Sequence, residues 1–379
     1  MGWEELSIKF NKPTRRHAFH VHVVGTGPAG MGYLLGYLSS GRSGRVIVSD
    51  MRDPYRDDIV CSGLLTHHGY SYLADVLPVS RSLRAVYDRV YLVNGWDNLG
   101  DRDNWREIRL QYPMYRVDRF ELSRVMYDKV FGGMPEEGWY YLDDVELYYE
   151  KRVISSLRDI KSHVVIGADG PTSTVARLFG FPAVREMYHT YHLDGRVDGL
   201  KDGLLVIFDR RIPGFFSWVI PGRFGQVGLG VPLGINPRDR LRLLLHQLEG
   251  VGIRIHSKRE RSSLLPLSLR PIRRFSKDGY HVHLIGDAAG HVKSLTGGGV
   301  FYGFALGYEL ARRNMYRFLR WETELRMLNL LKPFYPYPLV DCVLALPDDM
   351  IGRFETDSIT ITLKRVLGVS PIKSRFKLR

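Results

Sequence analysis

The chain runs to 379 residues, 44% hydrophobic and 25% charged, with a formal net charge of +13. That is enough for two domains, or for one large domain with an inserted lobe, and the balance is globular rather than disordered or fibrous. Its two cysteines, Cys61 and Cys342, exclude a disulfide framework or a cysteine-ligated cluster and allow one bridge at most. No spacing of His, Cys and carboxylates points to a metal.

The first residues are mixed polar and basic, without the apolar core of a signal peptide. There is no apolar run of about 18 residues, so no span is predicted and a cytoplasmic protein is expected. Phe19–Val24 then reads as a buried parallel strand running into Gly25-Thr26-Gly27-Pro28-Ala29-Gly30. Met31–Leu38 reads as a helix stopped by Gly41–Gly44, and Arg45–Asp50 as a second strand. This is a strand–helix–strand unit of the length that a dinucleotide requires. Gly25 permits the tight turn, Gly27 the approach of a pyrophosphate, and Gly30 close helix packing. The pyrophosphate would rest on the free N–H groups of the helix, beside Pro28 and Ala29. Asp50, at the end of the second strand, suits ribose hydroxyls, with Met51 next to it.

Residues 82–112 alternate as strands, Arg119–Val130 is helical, and Val164–Ile166 is another buried strand before Gly167-Ala168-Asp169-Gly170. From about 186 to 280 the character changes to β-rich, with Leu204–Phe208, Phe215–Ile220 and Gln226–Val231 as strands and a helix over Pro237–Leu248. His281–Ile285 returns to an apolar strand and enters Gly286-Asp287, followed by Gly297-Gly298-Gly299 and Val300. Beyond Gly303 the pattern is helical and is broken by Pro333, Pro336 and Pro338.

NAD would satisfy the first unit alone, but the later glycine segments favour FAD. Asp287 can bond a ribityl chain, and the Gly297–Gly299 turn opens a helix whose N-terminus stabilises an anionic reduced flavin. Asp169 and Gly170 mark a third close-approach turn. The predicted fold is α/β, α+β overall: a Rossmann-type FAD-binding domain, an inserted β-rich substrate lobe and a helical C-terminal region. The expected limits are 17–80, 106–185 and 281–310 for the cofactor domain, 81–105 and 186–280 for the lobe, and 311–379 for the helical region. No acid follows Asp357, while Lys364, Arg365, Lys373, Arg375, Lys377 and Arg379 do. With Val366, Leu367, Ile372 and Phe376 between them, this tail is either a solvated terminus or a peripheral contact with an anionic membrane, on the inner face for a cytoplasmic protein. No nucleic-acid motif accompanies the charge, and nucleic acid is not expected as a partner.

From about residue 18 to 310 the chain resembles the geranylgeranyl reductase family, of the p-hydroxybenzoate hydroxylase-like FAD enzymes and of the archaeal digeranylgeranylglycerophospholipid reductase type. The likeness is carried by Val60-Cys61-Ser62-Gly63-Leu64, by Asp118-Arg119-Phe120 and by Gly286 through Val300. It is also carried by an aromatic box, Phe216-Ser217-Trp218-Val219-Ile220-Pro221, where the family usually has Tyr-x-Trp-x-Phe-Pro. The resemblance implies FAD contacts at Cys61, Ser62, Gly63 and Arg119, and an isoprenoid or prenyl-lipid substrate against Phe216, Trp218, Ile220 and Pro221. It implies reduction of geranylgeranyl C=C bonds, with ether lipids or their precursors as the expected substrates. An isolated alkene is not polarised, so the expected chemistry is protonation toward a tertiary cation and hydride delivery from reduced flavin. Aromatic faces favour such a cation. Cys61 is the candidate catalytic residue beside the flavin, while His67, His68 and His291 are other conceivable proton sources that loop or packing roles explain equally well. The electron donor is open among NAD(P)H, a ferredoxin and another carrier, because a second dinucleotide fingerprint is lacking.

Rival readings share these motifs. A flavin-dependent hydroxylase keeps the fold, and the box is similar to that of flavin halogenases. Those enzymes also need a lysine after the second strand, and residues 57–100 contain none. A non-catalytic FAD-containing lipid carrier is the alternative of another class.

Overall fold

The computed structural model describes residues 19–52 and 59–334. Cys342, the basic tail, Pro336 and Pro338 lie outside them.

The first sheet has seven strands in the order Arg274–Lys277, Tyr280–Leu284, Val164–Gly167, Val21–Val24, Gly44–Asp50, Val145–Lys151 and Gly138–Leu142. The middle five run parallel, and an antiparallel hairpin closes each edge. Val21–Val24 and Val164–Gly167 are buried at every residue, which is why they read as unbroken apolar runs rather than alternating ones. Val23 pairs with Val48 on one side and Ile166 on the other. Parallel neighbours end at one edge of the sheet, so the three glycine segments emerge side by side. Backbone bonds stitch their roots: Gly25 N–H donates to Ser49 (2.8 Å), Ala168 N–H to Val24 (2.8 Å) and Ile285 N–H to Gly167 (2.9 Å).

The helix Pro28–Leu38 opens on its proline, three residues earlier than expected, because Pro at the first turn forgoes an N–H that has no intrahelical partner anyway. It packs against the helix Val300–Ala311. Gly32 and Gly36 meet the backbone at Phe304 and Tyr308, and Gly307 meets the backbone of Ala29. At each of these positions a Cβ would run into a carbonyl oxygen of the other helix.

The second sheet has eight strands in the order Arg254–Pro266, Met187–Asp198, Gly222–Pro232, Ser217–Ile220, Leu204–Phe208, Leu83–Asn94, Arg106–Val117 and Leu64–Leu65. One of its faces is covered by the helix Pro237–Gly250, whose Leu241, Leu244 and Leu248 share a core with Trp96, Val219, Val227 and Leu229. Sheet membership departs from the expected limits at three strands, the first being Leu64–Leu65, which pairs with Arg116 and Tyr115 in the second sheet. Arg106–Val117 pairs in the second sheet, because the long strand Leu83–Asn94 needs an antiparallel partner along its length. Arg274–Lys277 joins the first sheet, folded onto Tyr280–Leu284 by Asp278-Gly279. Both turn residues have positive φ, +54° and +81°, as a type I′ hairpin turn requires.

The helix Met315–Leu331 follows in the C-terminal region. Among the described residues, no helix is long and apolar enough to cross a membrane, and no group of three or more His, Cys, Asp or Glu is placed to hold a metal.

The glycine contact between the two helices is testable. Gly32→Ala improves helix propensity by about 1 kcal/mol, yet the clash with the Phe304 carbonyl should outweigh that gain. We expect a net loss of about 2–4 kcal/mol in urea unfolding. A variant as stable as the parent would mean that the helices can separate at no cost.

Candidate cofactor and substrate site

Gly25 has φ +99°, and a Cβ there would lie 2.5 Å from the Ala168 oxygen. Only glycine fits between two adjoining strand ends. The helix that follows has Gly27 as its N-cap and no side-chain cap, so its first N–H groups are free for an anion. The same holds for Val300–Ala311, which Gly299 precedes, again without a side-chain cap. The other α-helices are capped by Thr66, Asp118, Ser173, Asn236 and Asn314. The two uncapped helix starts are therefore the two that face the predicted cofactor.

Asp50 is 4% exposed at the end of its strand. One carboxylate oxygen accepts from Thr26 N–H and Thr26 Oγ1, both at 2.5 Å, and the other accepts from Arg52 N–H at 2.8 Å. Part of its capacity thus braces the glycine turn. Tyr127 adds a weaker bond to the Thr26 carbonyl at 3.4 Å. Met51 beside it is 66% exposed. Arg52 bends back toward the cradle, its Nη2 3.2 Å from where a Gly27 Cβ would stand.

Ala29 links the first and third segments. Its methyl lies 2.6 Å from a Cβ built on Gly286, and 3.5 Å from one on Gly303. Asp287 faces the start of the closing helix, its Oδ1 3.2 Å from a Cβ built on Gly299. Burial raises the Asp287 carboxyl to about 6, against the pull of Arg119 and Arg52. Arg119 is buried, and its Nε and Nη1 have no hydrogen-bond partner. A buried guanidinium without partners is costly, so the site asks for acceptors that a flavin dinucleotide carries. Gly298 is exposed and Gly297 has φ +73°.

Asp169 behaves differently. Its carboxylate is occupied by Ser173 Oγ (2.6 Å) and Val175 N–H (3.0 Å), so it orders the short helix Thr174–Leu178. Gly170, with φ +84°, has open space around it.

Cys61 is half-buried with a free thiol, and its sulfur accepts from Gly63 N–H at 3.4 Å. Ser62 Oγ accepts from Leu64 N–H at 3.4 Å. Gly63 adopts φ +72° because its backbone is pressed onto Val117, whose N–H donates to the Gly63 carbonyl at 2.9 Å. The loop is thereby anchored beside Arg119. His67 stacks on Tyr112 and meets the Tyr115 hydroxyl at 3.3 Å, while His68 packs edge-on to Phe301. His291 is fully buried near Glu322 and Phe318, and burial lowers it to about 3. His67 and His291 pack within their surroundings, while His68 touches Phe301 from an exposed position.

On the box strand, alternation sends Ser217 and Val219 into the helix-covered core and Phe216, Trp218 and Ile220 to the opposite face. That face meets the cofactor turn: a Cβ on Gly297 would lie 2.9 Å from Leu265 and 3.1 Å from the Phe215 ring. Phe216 stacks on Phe215 at 4.3 Å and meets Trp218 edge-on at 6.1 Å. Ile220 is fully buried with Tyr87 and Leu204, and Tyr87 donates to the Pro221 carbonyl at 3.1 Å. Phe216 and Trp218 are the box residues left half-exposed, while Ile220 and Pro221 form the floor behind them.

A polar chain runs along the same face. Trp218 Nε1 donates to Gln226 Oε1 (2.7 Å), Gln226 Nε2 donates to Asp194 Oδ1 (2.8 Å), and Arg261 Nε stands 2.7 Å from Asp194 Oδ2. Sequence reasoning missed Gln226, Asp194 and Arg261, which come from three strands. It also missed Thr26, Arg52 and Lys332. Buried Lys332 donates to the carbonyls of Gly214 (2.7 Å) and Ser294 (3.0 Å), joining the approach to the box to the cofactor loop, and burial lowers it to about 8.

The site and fold define a flavoprotein with a Rossmann-type cofactor layer and a β-rich lobe laid over it. No family model matches the chain. A Methanocaldococcus jannaschii protein of no stated activity is 24% identical over 318 residues, covering 82% of this chain and 78% of that one, and other relatives carry geranylgeranyl reductase names. The chain is 29% identical over 196 residues to digeranylgeranylglycerophospholipid reductase of Methanocaldococcus jannaschii, covering 46% of this chain and 45% of that one. It is 31% identical over 165 residues to geranylgeranyl diphosphate reductase of Rhodobacter capsulatus, covering 41% and 40%. The matched segment spans less than half the length of these two reductases. Among solved structures, a geranylgeranyl bacteriochlorophyll reductase-like protein of Thermoplasma acidophilum superposes with a TM-score of 0.65 at 14% identity, over 93% of this chain and 97% of that one. The flavin-dependent brominase Bmp2 superposes with a TM-score of 0.62 at 14% identity, over 92% and 93%. These findings, with the open helix starts and the unpartnered Arg119, support FAD as the cofactor.

Two predictions follow from the geometry. Without cofactor, Asp287 stays protonated in the folded chain up to about 6, while its unfolded counterpart ionises near 3.8. The folded state then holds the extra proton, so this group's contribution to stability falls as pH rises between those values. The resulting cost at neutral pH is on the order of 2–3 kcal/mol. Cofactor-free Asp287→Asn should therefore melt above the parent at pH 7, by a margin that shrinks toward pH 5, and should retain less FAD through gel filtration. Equal melting at both pH values would refute this assignment. Gln226→Leu should cost about 1–2 kcal/mol by leaving the indole N–H unpaired. It should also lower the fluorescence anisotropy of Trp218, read as the difference from Trp218→Phe. Unchanged anisotropy would mean that packing alone holds the ring.

Proposed function

We propose that this protein is an FAD-dependent oxidoreductase that saturates C=C bonds of geranylgeranyl chains, with ether lipids or their precursors as the substrate class. The observation that carries this reading is the half-exposed pair Phe216 and Trp218, set on the face that abuts the cofactor turn. The names of the relatives support the same reaction class.

Reduced FAD, when bound, supplies the hydride. Gly25, Gly27, Pro28, Ala29 and Gly30, with Asp50, would hold the dinucleotide at the first helix. Asp287 and the Gly297–Val300 turn would receive the ribityl chain and the flavin ring, with Arg119 and the Cys61–Gly63 loop against it. Phe216 and Trp218 present ring faces to the chain, which favours positive charge developing on a tertiary carbon. Gln226 is a positioning residue that fixes the indole plane. Cys61 is the thiol on the loop beside this wall and is the proposed source of the proton. Oxygen-dependent hydroxylation is a second reading, favoured by the polar chain from Trp218 to Arg261 on the same wall.

The test is anaerobic incubation of the reduced, FAD-loaded protein with a geranylgeranylated glycerophospholipid, read by mass spectrometry. A gain of one hydrogen pair per saturated bond is expected. Trp218→Ala should lower kcat/KM by about tenfold or more, in keeping with a cation–π contribution of a kcal/mol or two. Cys61→Ala should lower kcat with little effect on KM. Unchanged lipid masses from a fully loaded protein would sink the reading, and substrate-dependent oxygen uptake would replace it with hydroxylation.

A further inference from the structure

Arg116 serves neither the cofactor cradle nor the aromatic box. It lies near the end of the strand Arg106–Val117, opposite Ala85 and Leu64. Alternation puts it on the same face as Met114, which packs with Tyr87, Leu204, Ile220 and Trp218. Arg116 is therefore part of the wall that carries the box. It is 8% exposed, and its Nη1 has no hydrogen-bond partner. The groups that act on it electrostatically are Tyr87 and Asp194 in the lobe, Asp118, and Cys61 on the cofactor-side loop. Those groups lie within electrostatic reach of the guanidinium.

Neither neighbouring carboxylate is free to neutralise it. Asp194 is taken by Gln226 and Arg261, at 2.8 and 2.7 Å. Asp118 caps the next helix through Phe120 and Glu121 N–H at 2.9 and 3.1 Å, and it pairs with Arg84 at 3.2 Å. His192, deep in the same wall, is held near 4 by burial and is neutral at pH 7. Two guanidinia, buried Arg116 and part-buried Arg261, thus share one carboxylate, and the Arg116 Nη1 group has no partner. A purely hydrocarbon ligand would leave that charge uncompensated.

We propose that Arg116 receives an anionic oxyacid group of the substrate, a phosphate in the prenyl-lipid reading, so that this wall selects amphiphiles carrying a charged head over neutral prenyl chains. The inference rests on that reading for the identity of the tail, but the anion site stands on Arg116 alone. Tyr87 would steady the guanidinium, its hydroxyl already fixed on the Pro221 carbonyl.

The test is equilibrium binding to the full-length, FAD-loaded, oxidised protein, followed by perturbation of the flavin spectrum. Geranylgeranyl phosphate, geranylgeraniol and 2-aminobenzoate are the ligands. The parent should bind the phosphate more tightly than the alcohol. Arg116→Gln should weaken the phosphate about tenfold or more, the loss expected for one charge-assisted hydrogen bond, and leave the alcohol unchanged. Arg116→Lys should recover part of the loss. Tyr87→Phe provides a milder variant should Arg116→Gln not fold, with the same phosphate-only weakening. Equal weakening of phosphate and alcohol, or loss of FAD from Arg116→Gln, would overturn the proposal and return the residue to structure or cofactor. If the parent binds neither prenyl ligand, the prenyl reading fails. In that case Arg116-dependent binding of 2-aminobenzoate keeps the anion site, and its absence removes it.

Discussion

The contact on which the site depends is between two helices that hold no catalytic group. Pro28–Leu38 begins at the first glycine turn and Val300–Ala311 at the last, and their backbones touch through Gly32, Gly36 and Gly307. Contact at that range fixes two helix N-termini, each without a side-chain cap, at a set separation. An extended dinucleotide needs positive ends under its pyrophosphate and under its ring system at once. Side chains larger than hydrogen would push the helices apart and spoil both. The strand ends act in the same sense, since each glycine turn is tied by a backbone bond to the neighbouring strand. The cofactor cradle is therefore rigid by main-chain packing, which leaves its side chains free for charge and recognition.

The wall opposite is rigid for another reason. An indole N–H turned in from solvent costs about 1–3 kcal/mol if left unpaired, so the inward edge of half-exposed Trp218 demands an acceptor. Gln226, fully buried, meets that demand and in turn requires Asp194, which requires Arg261. Each step satisfies one polar group and creates a need for the next, until the chain reaches a charge pair at the edge of the lobe. A network of this kind removes rotamer freedom from the indole, which apolar packing alone would not do. The orientation of the ring face is then a property of the lobe and not of the ligand.

How much of this was legible in sequence follows from what each feature depends on. Gly25–Gly30, Asp50 and Gly286–Val300 were visible because backbone approach admits one residue type at fixed spacing after an apolar strand. Asp278-Gly279 was equally visible as a turn, and giving it more weight would have moved Arg274–Lys277 to the first sheet. The helix His67–Ala74 was not predicted, because its stability comes from Tyr72 and Phe301 packing across the chain rather than from its own pattern. Asp169 has the right type in the right place, yet its oxygens are consumed locally by Ser173 and Val175. Gln226, Asp194 and Arg261 could not be found, since the cross-strand register that joins them is set by strands far apart in sequence. Arg116 stood two residues before a recognised motif and had no signal of its own, because an unpaired charge is a property of the assembled wall.

The placing of charge across the site gives these pieces a common logic. Arg52 and Arg119 stand toward Asp287, while Arg116 and Arg261 stand toward Asp194. Each side holds more guanidinium than carboxylate, and Arg116 and Arg119 keep unpartnered N–H groups. On the cofactor side, a dinucleotide carries the compensating charge and Asp287 is held partly protonated until it arrives. The lobe side follows the same electrostatics, with the acceptor left for the second ligand to bring. Asp118, just past the strand end that carries Arg116, does not neutralise either side, because it is already committed to its helix and to Arg84. A site divided in this way pays for two buried cations in the empty state and recovers that cost only when both ligands are present.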